Sequence, residues 1–199
     1  MTSMSDVNNL ALSNAIEAAK RILDAPFGAH CLLIYSNLSK CRKFYTYYIQ
    51  EVLKKDDEIV ELDPFYETED MVRNTLTRHN HKVIDLERFE DSENRLFIID
   101  SLIKNFTKDD TLQNYALNKR LVDIAKGLDK KGATVIEDMG VFNYKYKIRD
   151  LLEYEMSMPT YFEFELKCIC LYHDKDFDIL PDNVRQNLID HHKIVLRIV

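Results

Sequence analysis

The sequence has no tryptophan, only four glycines and four prolines, and no long hydrophobic run. So little glycine and proline argues against a linker-rich or repetitive chain. A membrane-spanning helix needs about 18 consecutive apolar residues, and no stretch approaches that length. Residues 1–9 are polar and lack the basic-then-apolar order of a signal peptide. We therefore expect a cytoplasmic protein that does not associate with membranes.

The composition is that of an ordinary globular protein. Of the 199 residues, 46% are hydrophobic and 31% are charged, which supports one folded domain with a core of its own. The formal net charge of -7 argues against nucleic acid as a partner, because such proteins usually present a basic face. In the cytoplasm the four cysteines are expected to be reduced thiols: Cys31, Cys41, Cys168 and Cys170.

Short hydrophobic runs alternate with helical patterns along most of the chain. Strands are predicted at residues 30–35, 58–62, 96–100, 132–137, 166–172 and 193–199, and looser alternation suggests another at 81–86. Helices are predicted at residues 10–23, 39–53, 68–78, 110–128, 148–155 and 181–190. This order predicts a three-layer α/β sandwich around a mostly parallel sheet. We assign residues 1–27 to an N-terminal helical extension and residues 28–199 to the α/β domain.

Ligands of such sheets bind beyond the carboxyl ends of the strands. The residues at these strand ends are therefore the candidates for binding. They are Tyr35, Ser36, Asn37, Asp63, Asp100, Ser101, Glu137, Asp138, His173 and Asp174.

Two stretches carry a resemblance to a known family. The first is the run Gly-Ala-His-Cys-Leu-Leu-Ile-Tyr at residues 28–35, which precedes a helix. The second comprises Leu-Leu-Glu-Tyr-Glu at 151–155, Cys-Ile-Cys-Leu-Tyr-His-Asp at 168–174, Phe177 and His191. Together they resemble the MEDS family of sensory domains, over residues 28–199. The resemblance implies a RecA/KaiC-like fold without nucleotide motifs, and a sensory function.

A phosphate loop of the form G-x-x-x-x-G-K-[ST] would follow the first strand of a RecA-like ATPase. Here the two glycine positions hold Ser36 and Cys41, and Arg42 and Lys43 replace the lysine and the hydroxyl residue. The backbone therefore cannot close on a phosphate, and an ammonium group cannot bind magnesium. We expect no ATP hydrolysis by this route. An anion could still be attracted to the helix start by Lys40, Arg42 and Lys43.

Other polar residues leave alternatives open. The strand ending at Asp100 resembles a Walker B strand, but a carboxylate there is also expected simply to cap the next turn. The pair His79 and His81 could bind zinc with other histidines. Solvent-facing histidines at a helix end are the favoured interpretation, and buried apolar packing explains Cys168 and Cys170. We expect no metal and no cofactor.

The favoured function is therefore a non-catalytic sensing or signalling domain. It would bind an unknown small ligand, a regulatory protein, or both, and pass the response to a partner or through a homo-oligomer. One alternative is a divergent binder of a nucleotide or phosphorylated ligand, or an enzyme, using Arg42, Lys43 and Asp100. Another is an adaptor that pairs with an active ATPase. Its contact surfaces would be the aromatic helix at residues 44–48 and the helix at residues 10–23.

Overall fold

The computed structural model of the protein describes residues 11–78, 84–106, 113–145 and 147–199. Seven strands form one sheet in the order β1-β7-β2-β6-β5-β3-β4, and every neighbouring pair is parallel. The prediction of an α/β fold with a mostly parallel sheet is confirmed. The strands are β1 (Ala11–Ser13), β2 (His30–Tyr35), β3 (Glu58–Asp63), β4 (Leu96–Ile98), β5 (Gly132–Asp138), β6 (Leu166–His173) and β7 (Ile194–Ile198).

Nine α-helices connect these strands in the described part of the chain. They are α1 (Ala15–Leu23), α2 (Leu38–Lys55), α3 (Glu69–Arg78), α4 (Ser101–Phe106), α5 (Gln113–Gly127), α6 (Gly140–Tyr144), α7 (Ile148–Ser157), α8 (Asp174–Asp178) and α9 (Asp182–His191). A π-helical segment, Glu87–Ser92, precedes β4. No described helix is long and apolar enough to cross a membrane.

The sheet has a hydrophobic core on each face, which gives the predicted three layers. On one face α1, α2 and α3 pack against residues such as Leu33, Leu62 and Ile136. On the other face α5, α6, α7, α8 and α9 pack against residues such as Leu32 and Val135. Neighbouring positions of one strand thus point to opposite layers. Both faces are covered, so the central strands are continuous hydrophobic runs.

The two ends of the sheet differ from the sequence-based expectation. Residues 11–13 form the edge strand β1 on β7, and the helix predicted from residue 10 begins at Ala15, after an Asn14 cap. The run at residues 96–100 is predicted from the sequence to be a buried strand. It forms only β4, three residues on the opposite edge. Residues 84–86 are not a strand, and residues 79–83 lie outside the described part of the chain.

The aromatic residues of α2 belong to the core. Phe44, Tyr45 and Tyr48 are 0%, 2% and 0% exposed, so these rings are not a contact surface for a partner protein. The buried face of α1, which includes Ala18 and Ile22, packs in the same core. The adaptor hypothesis therefore loses one of its two proposed contact surfaces.

Candidate functional site

Ten of the residues predicted to bind a ligand lie in two groups. The first group surrounds the start of α2: Tyr35, Ser36, Asn37, Lys40, Arg42 and Lys43. The second group surrounds α4: Asp63, Asp100, Ser101 and Glu137. Tyr35 points into the α2 layer, whereas Glu137 bonds to Tyr154 of α7 in the opposite layer.

The basic start of α2 is largely occupied by internal contacts. Asn37 caps the helix, and its side chain accepts a hydrogen bond from the Lys40 amide at 3.1 Å. The Lys40 ammonium donates to the Ser36 hydroxyl at 3.0 Å. Arg42 donates to Glu67 at 2.7 Å. Lys43 is exposed. Two of the three cations proposed to attract an anion are thus engaged within the protein.

A buried acid lies beneath this helix start. The Tyr35 hydroxyl donates to Asp138 Oδ2 at 2.8 Å, and the Gly140 amide donates to Oδ1 at 2.9 Å. The cavity between Asp138 and Glu67 has a volume of about 10 Å³, which is room for about one water molecule. A nucleotide does not fit into that space.

We predict that Asp138 makes stability depend on pH. Burial raises the pKa of this carboxyl to about 7, although the Gly140 amide and the Tyr35 hydroxyl oppose the shift. The folded protein therefore holds the proton more tightly than the unfolded chain. This contribution is complete below the ordinary pKa of about 4 and is lost as the pH rises through about 7. Urea unfolding at pH 5 and pH 8 should show a fall in stability that is smaller in Asp138→Asn. An equal fall in both proteins would contradict this.

Asp100 caps the start of α4, whereas the Ser101 hydroxyl donates to the Asp138 carbonyl oxygen at 3.3 Å. Asp100 Oδ1 accepts hydrogen bonds from the amides of Leu102 and Ile103 at 2.7 and 3.2 Å, so the capping interpretation of this acid is confirmed. Four strand spacings of about 4.8 Å separate β2 from β4, which places their ends about 19 Å apart. Asp100 therefore cannot complete a magnesium site with the residues at the start of α2.

Asp63 and Glu137 belong to a buried network of charges that we call the Lys104 cluster: Glu61, Asp63, Lys104, Asn105, Glu137 and Tyr154. The Lys104 ammonium bonds to Asp63 and, at 2.6 Å, to Glu61. Glu137 accepts hydrogen bonds from Asn105 at 2.8 Å and from the Tyr154 hydroxyl at 2.5 Å. The Lys104 side chain is 5% exposed, so one cation balances a group of desolvated acids.

A cleft of about 350 Å³ adjoins this cluster. We call it the α4–α5 cleft. It shares Glu61 and Lys104 with the cluster, and its remaining lining is Ile99, Ile103, Leu117, Arg120, Leu121 and Ile124. Ile103 and Ile124, both in this lining, are 55% and 46% exposed. The size and the mainly apolar lining are those of a small-molecule site, which typically has about 300–1,000 Å³.

The titratable groups near these sites are unsuited to nucleophilic catalysis at neutral pH. Burial alone would lower the pKa of Lys104, but Asp63, Glu137 and Glu61 raise it well above its usual range. The amine is therefore protonated and is not a nucleophile. Burial also raises the pKa of Cys31 and of Cys41, so both remain thiols.

The described residues that could hold a metal lie elsewhere in the same layer. We call them the His30 cluster: His30, Glu155, Cys170 and His192. Their ligand atoms all lie within 4.8 Å of one another. His30 and His192 are 0% and 1% exposed. His79 and His81 lie outside the described residues.

The sequence indicates this cluster through polar residues at positions expected to be buried. Motifs based on the spacing of metal ligands do not detect it. Glu155 is four residues after Leu151 and so shares the buried face of α7. His30 and Cys170 lie within strands that are covered on both faces. Buried polar groups in such places need partners.

Comparison with known proteins adds no assignment. No protein-family model matches the chain, and no curated protein matches it.

Proposed function

We propose that the protein is a non-catalytic sensing domain that binds a small, mainly apolar organic ligand in the α4–α5 cleft. The observation that carries this proposal is the cleft itself, about 350 Å³ in volume, apolar in its walls and charged where it meets the Lys104 cluster. Binding sites for small molecules typically combine apolar walls with a few placed polar groups.

The polar groups of the cleft suggest how a ligand would be oriented. Glu61 and Lys104 form an ion pair in the lining, and Arg120 contributes a second cation. The Lys104 ammonium already balances acids, so a ligand with one hydrogen-bonding group fits this environment better than a highly charged one. Ile103 and Ile124 would cover its apolar part.

The response to a ligand would pass through neighbouring elements of this layer. Tyr154 of α7 bonds to Glu137 of the Lys104 cluster, and α7 also carries Glu155 of the His30 cluster. Tyr154 and Glu155 belong to one of the stretches that resemble MEDS sensory domains. Membership of that family and a RecA/KaiC-like ancestry remain predictions, as does transmission through a partner or a homo-oligomer.

The main rival is a divergent nucleotide binder that uses Arg42, Lys43 and Asp100. Three structural observations argue against this hypothesis. Arg42 is paired with Glu67, Asp100 caps α4, and the ends of β2 and β4 are about 19 Å apart. Phosphate binding at α2 alone would leave the apolar cleft without a role.

Thermal-shift screening of small organic compounds, metabolites and nucleotides tests the proposal. We expect mainly apolar compounds to raise the melting temperature, with about 2.7 kcal/mol of stabilisation at a ligand concentration 100 times the Kd. In Ile124→Glu the same compounds should have little effect, because the substitution places a charge in the apolar wall.

The matched control is Ile179→Glu, at a position that is 71% exposed and does not line the cleft. This variant should respond to the compounds as the unmodified protein does. Equal responses of Ile124→Glu and Ile179→Glu would place the ligand elsewhere and contradict the proposal.

A further inference from the structure

The His30 cluster brings together side chains that are far apart in the sequence. His30 begins β2, Cys170 lies within β6, Glu155 belongs to α7 and His192 follows α9. All four are at most 1% exposed. Such a group cannot be stabilised by solvent, so its polar atoms must satisfy one another or a bound species.

The backbone hydrogen bonds of His30 and His192 leave Nε2 of each imidazole as a hydrogen-bond acceptor. His30 Nδ1 lies 3.1 Å from the Pro159 carbonyl oxygen, and His192 Nδ1 lies 2.6 Å from that of Leu188. A carbonyl oxygen only accepts, so each Nδ1 carries the hydrogen. In a neutral imidazole Nε2 then presents a lone pair.

These lone pairs converge on a carboxylate. His30 Nε2 and His192 Nε2 lie 3.6 and 3.4 Å from the same oxygen, Glu155 Oε2. His192 Nε2 has no hydrogen-bond partner although it is buried. Among the four converging ligand atoms, only Cys170 Sγ carries a hydrogen. Three acceptors around one weak donor form an unsatisfied site, which a cation would satisfy.

The spacing of the ligand atoms fits one tetrahedral ion. Bonds of about 2.0–2.1 Å to nitrogen or oxygen and about 2.3 Å to sulfur imply edges of about 3.3–3.6 Å. Cys170 Sγ lies 3.4 Å from His30 Nε2 and 3.7 Å from Glu155 Oε2. The distances from the two imidazoles to Glu155 Oε2 are 3.6 and 3.4 Å, so four of the six edges measure 3.4–3.7 Å, close to those of a tetrahedral ion.

The surroundings of the ligands match those of protein zinc sites. The Tyr172 hydroxyl donates to Glu155 Oε1, which leaves Oε2 directed at the cluster. Each imidazole is oriented by a backbone carbonyl at Nδ1. Outer hydrogen bonds of this kind fix the rotamer and tautomer of metal ligands.

Charge and donor type select the ion. A Cys170 thiolate and the Glu155 carboxylate supply two negative charges, which a divalent cation neutralises inside the core. One sulfur, two imidazole nitrogens and one carboxylate oxygen suit zinc better than magnesium or calcium, which prefer oxygen. Four protein ligands close the coordination sphere, as in structural sites.

We propose that His30, Glu155, Cys170 and His192 bind one structural Zn²⁺ ion. Binding forms a bond between Cys170 Sγ and the zinc ion, and the thiol proton is released to solvent. The ion joins β2, β6, α7 and the end of α9, so it stabilises the layer that carries the α4–α5 cleft. This proposal does not depend on the ligand proposed for that cleft.

Metal analysis of the full chain tests the site. Protein reconstituted with Zn²⁺ and freed of excess metal should contain one zinc ion per chain by plasma mass spectrometry. Co²⁺ should replace it and show the visible bands of a tetrahedral ion with thiolate charge transfer in the near ultraviolet. Absence of stoichiometric metal, or a cobalt spectrum without the thiolate band, would overturn the proposal, and neither measurement requires a variant.

Two pairs of variants locate the ligands. Cys170→Ser and His192→Gln should weaken zinc affinity at least tenfold, measured by competition with a chromophoric chelator. The controls are Cys168→Ser, two residues earlier on the same buried face, and His191→Gln, whose Nε2 bonds to the Met158 carbonyl instead. These two should retain one zinc ion per chain. Unchanged affinity in both ligand variants would refute the assignment.

Discussion

Replacing Lys104 with methionine is expected to destabilise the protein by about 3–5 kcal/mol. The ammonium lies among Glu61, Asp63 and Glu137, and its side chain is 5% exposed. Its removal leaves desolvated carboxyl groups without a cation, so they must take up protons or draw in water. Burial already raises the pKa of Asp63, and the loss of Lys104 would raise it further. Urea unfolding at pH 7 measures the change in the free energy of unfolding.

Two further variants separate the charge effect from the loss of packing. Lys43→Met, at an exposed position at the start of α2, should change stability by no more than about 0.5 kcal/mol. Lys104→Met combined with Asp63→Asn should recover part of the loss, because the double variant buries one less uncompensated acid. A single Lys104→Met variant as stable as the unmodified protein would show that the cluster is not a buried ion network.

The second large effect concerns Glu155 and metal removal. With zinc bound, Glu155→Gln should be less stable than the unmodified protein, because an amide is a poorer ligand and leaves one positive charge uncompensated. After chelation the order should reverse or vanish. The glutamine amide can then donate a hydrogen bond to His192 Nε2, which otherwise has no partner.

Melting temperatures of Glu155→Gln and the unmodified protein, measured with and without a chelator, test this change in the order of stability. The unmodified protein should lose several degrees on chelation, while Glu155→Gln should change little. Equal sensitivity of both proteins to the chelator would contradict a role for Glu155 as a ligand.

The central strands could be predicted because burial on both faces leaves a continuous apolar run. β2 matches its predicted bounds, and β3, β5, β6 and β7 match within one residue at each end. β1 was not predicted because a strand of three residues is too short to show a hydrophobic periodicity. The short helices α4, α6 and α8 were not predicted for the same reason. The position of β4 at the edge follows from the strand order, which no local pattern reveals.

The candidate sites were harder to predict because they depend on contacts between distant segments. Glu137 and Asp63 were identified as strand-end acids, but their cation Lys104 comes from a helix that the sequence did not reveal. The ligands of the His30 cluster have no characteristic spacing, since residues 30 and 192 meet only in the folded chain. The start of α2 was identified correctly, yet the partner of Arg42, Glu67, comes from a distant loop.

Calorimetric titration of the unmodified protein tests the central claim most directly. The mainly apolar compound that raises the melting temperature most is compared with ATP and magnesium in the same buffer. The α4–α5 cleft predicts saturable binding of the apolar compound at one site per chain, lost in Ile124→Glu, with no magnesium-dependent binding of ATP. Tight, magnesium-dependent ATP binding that Asp100→Ala abolishes, with no binding of the apolar compound, would contradict the account.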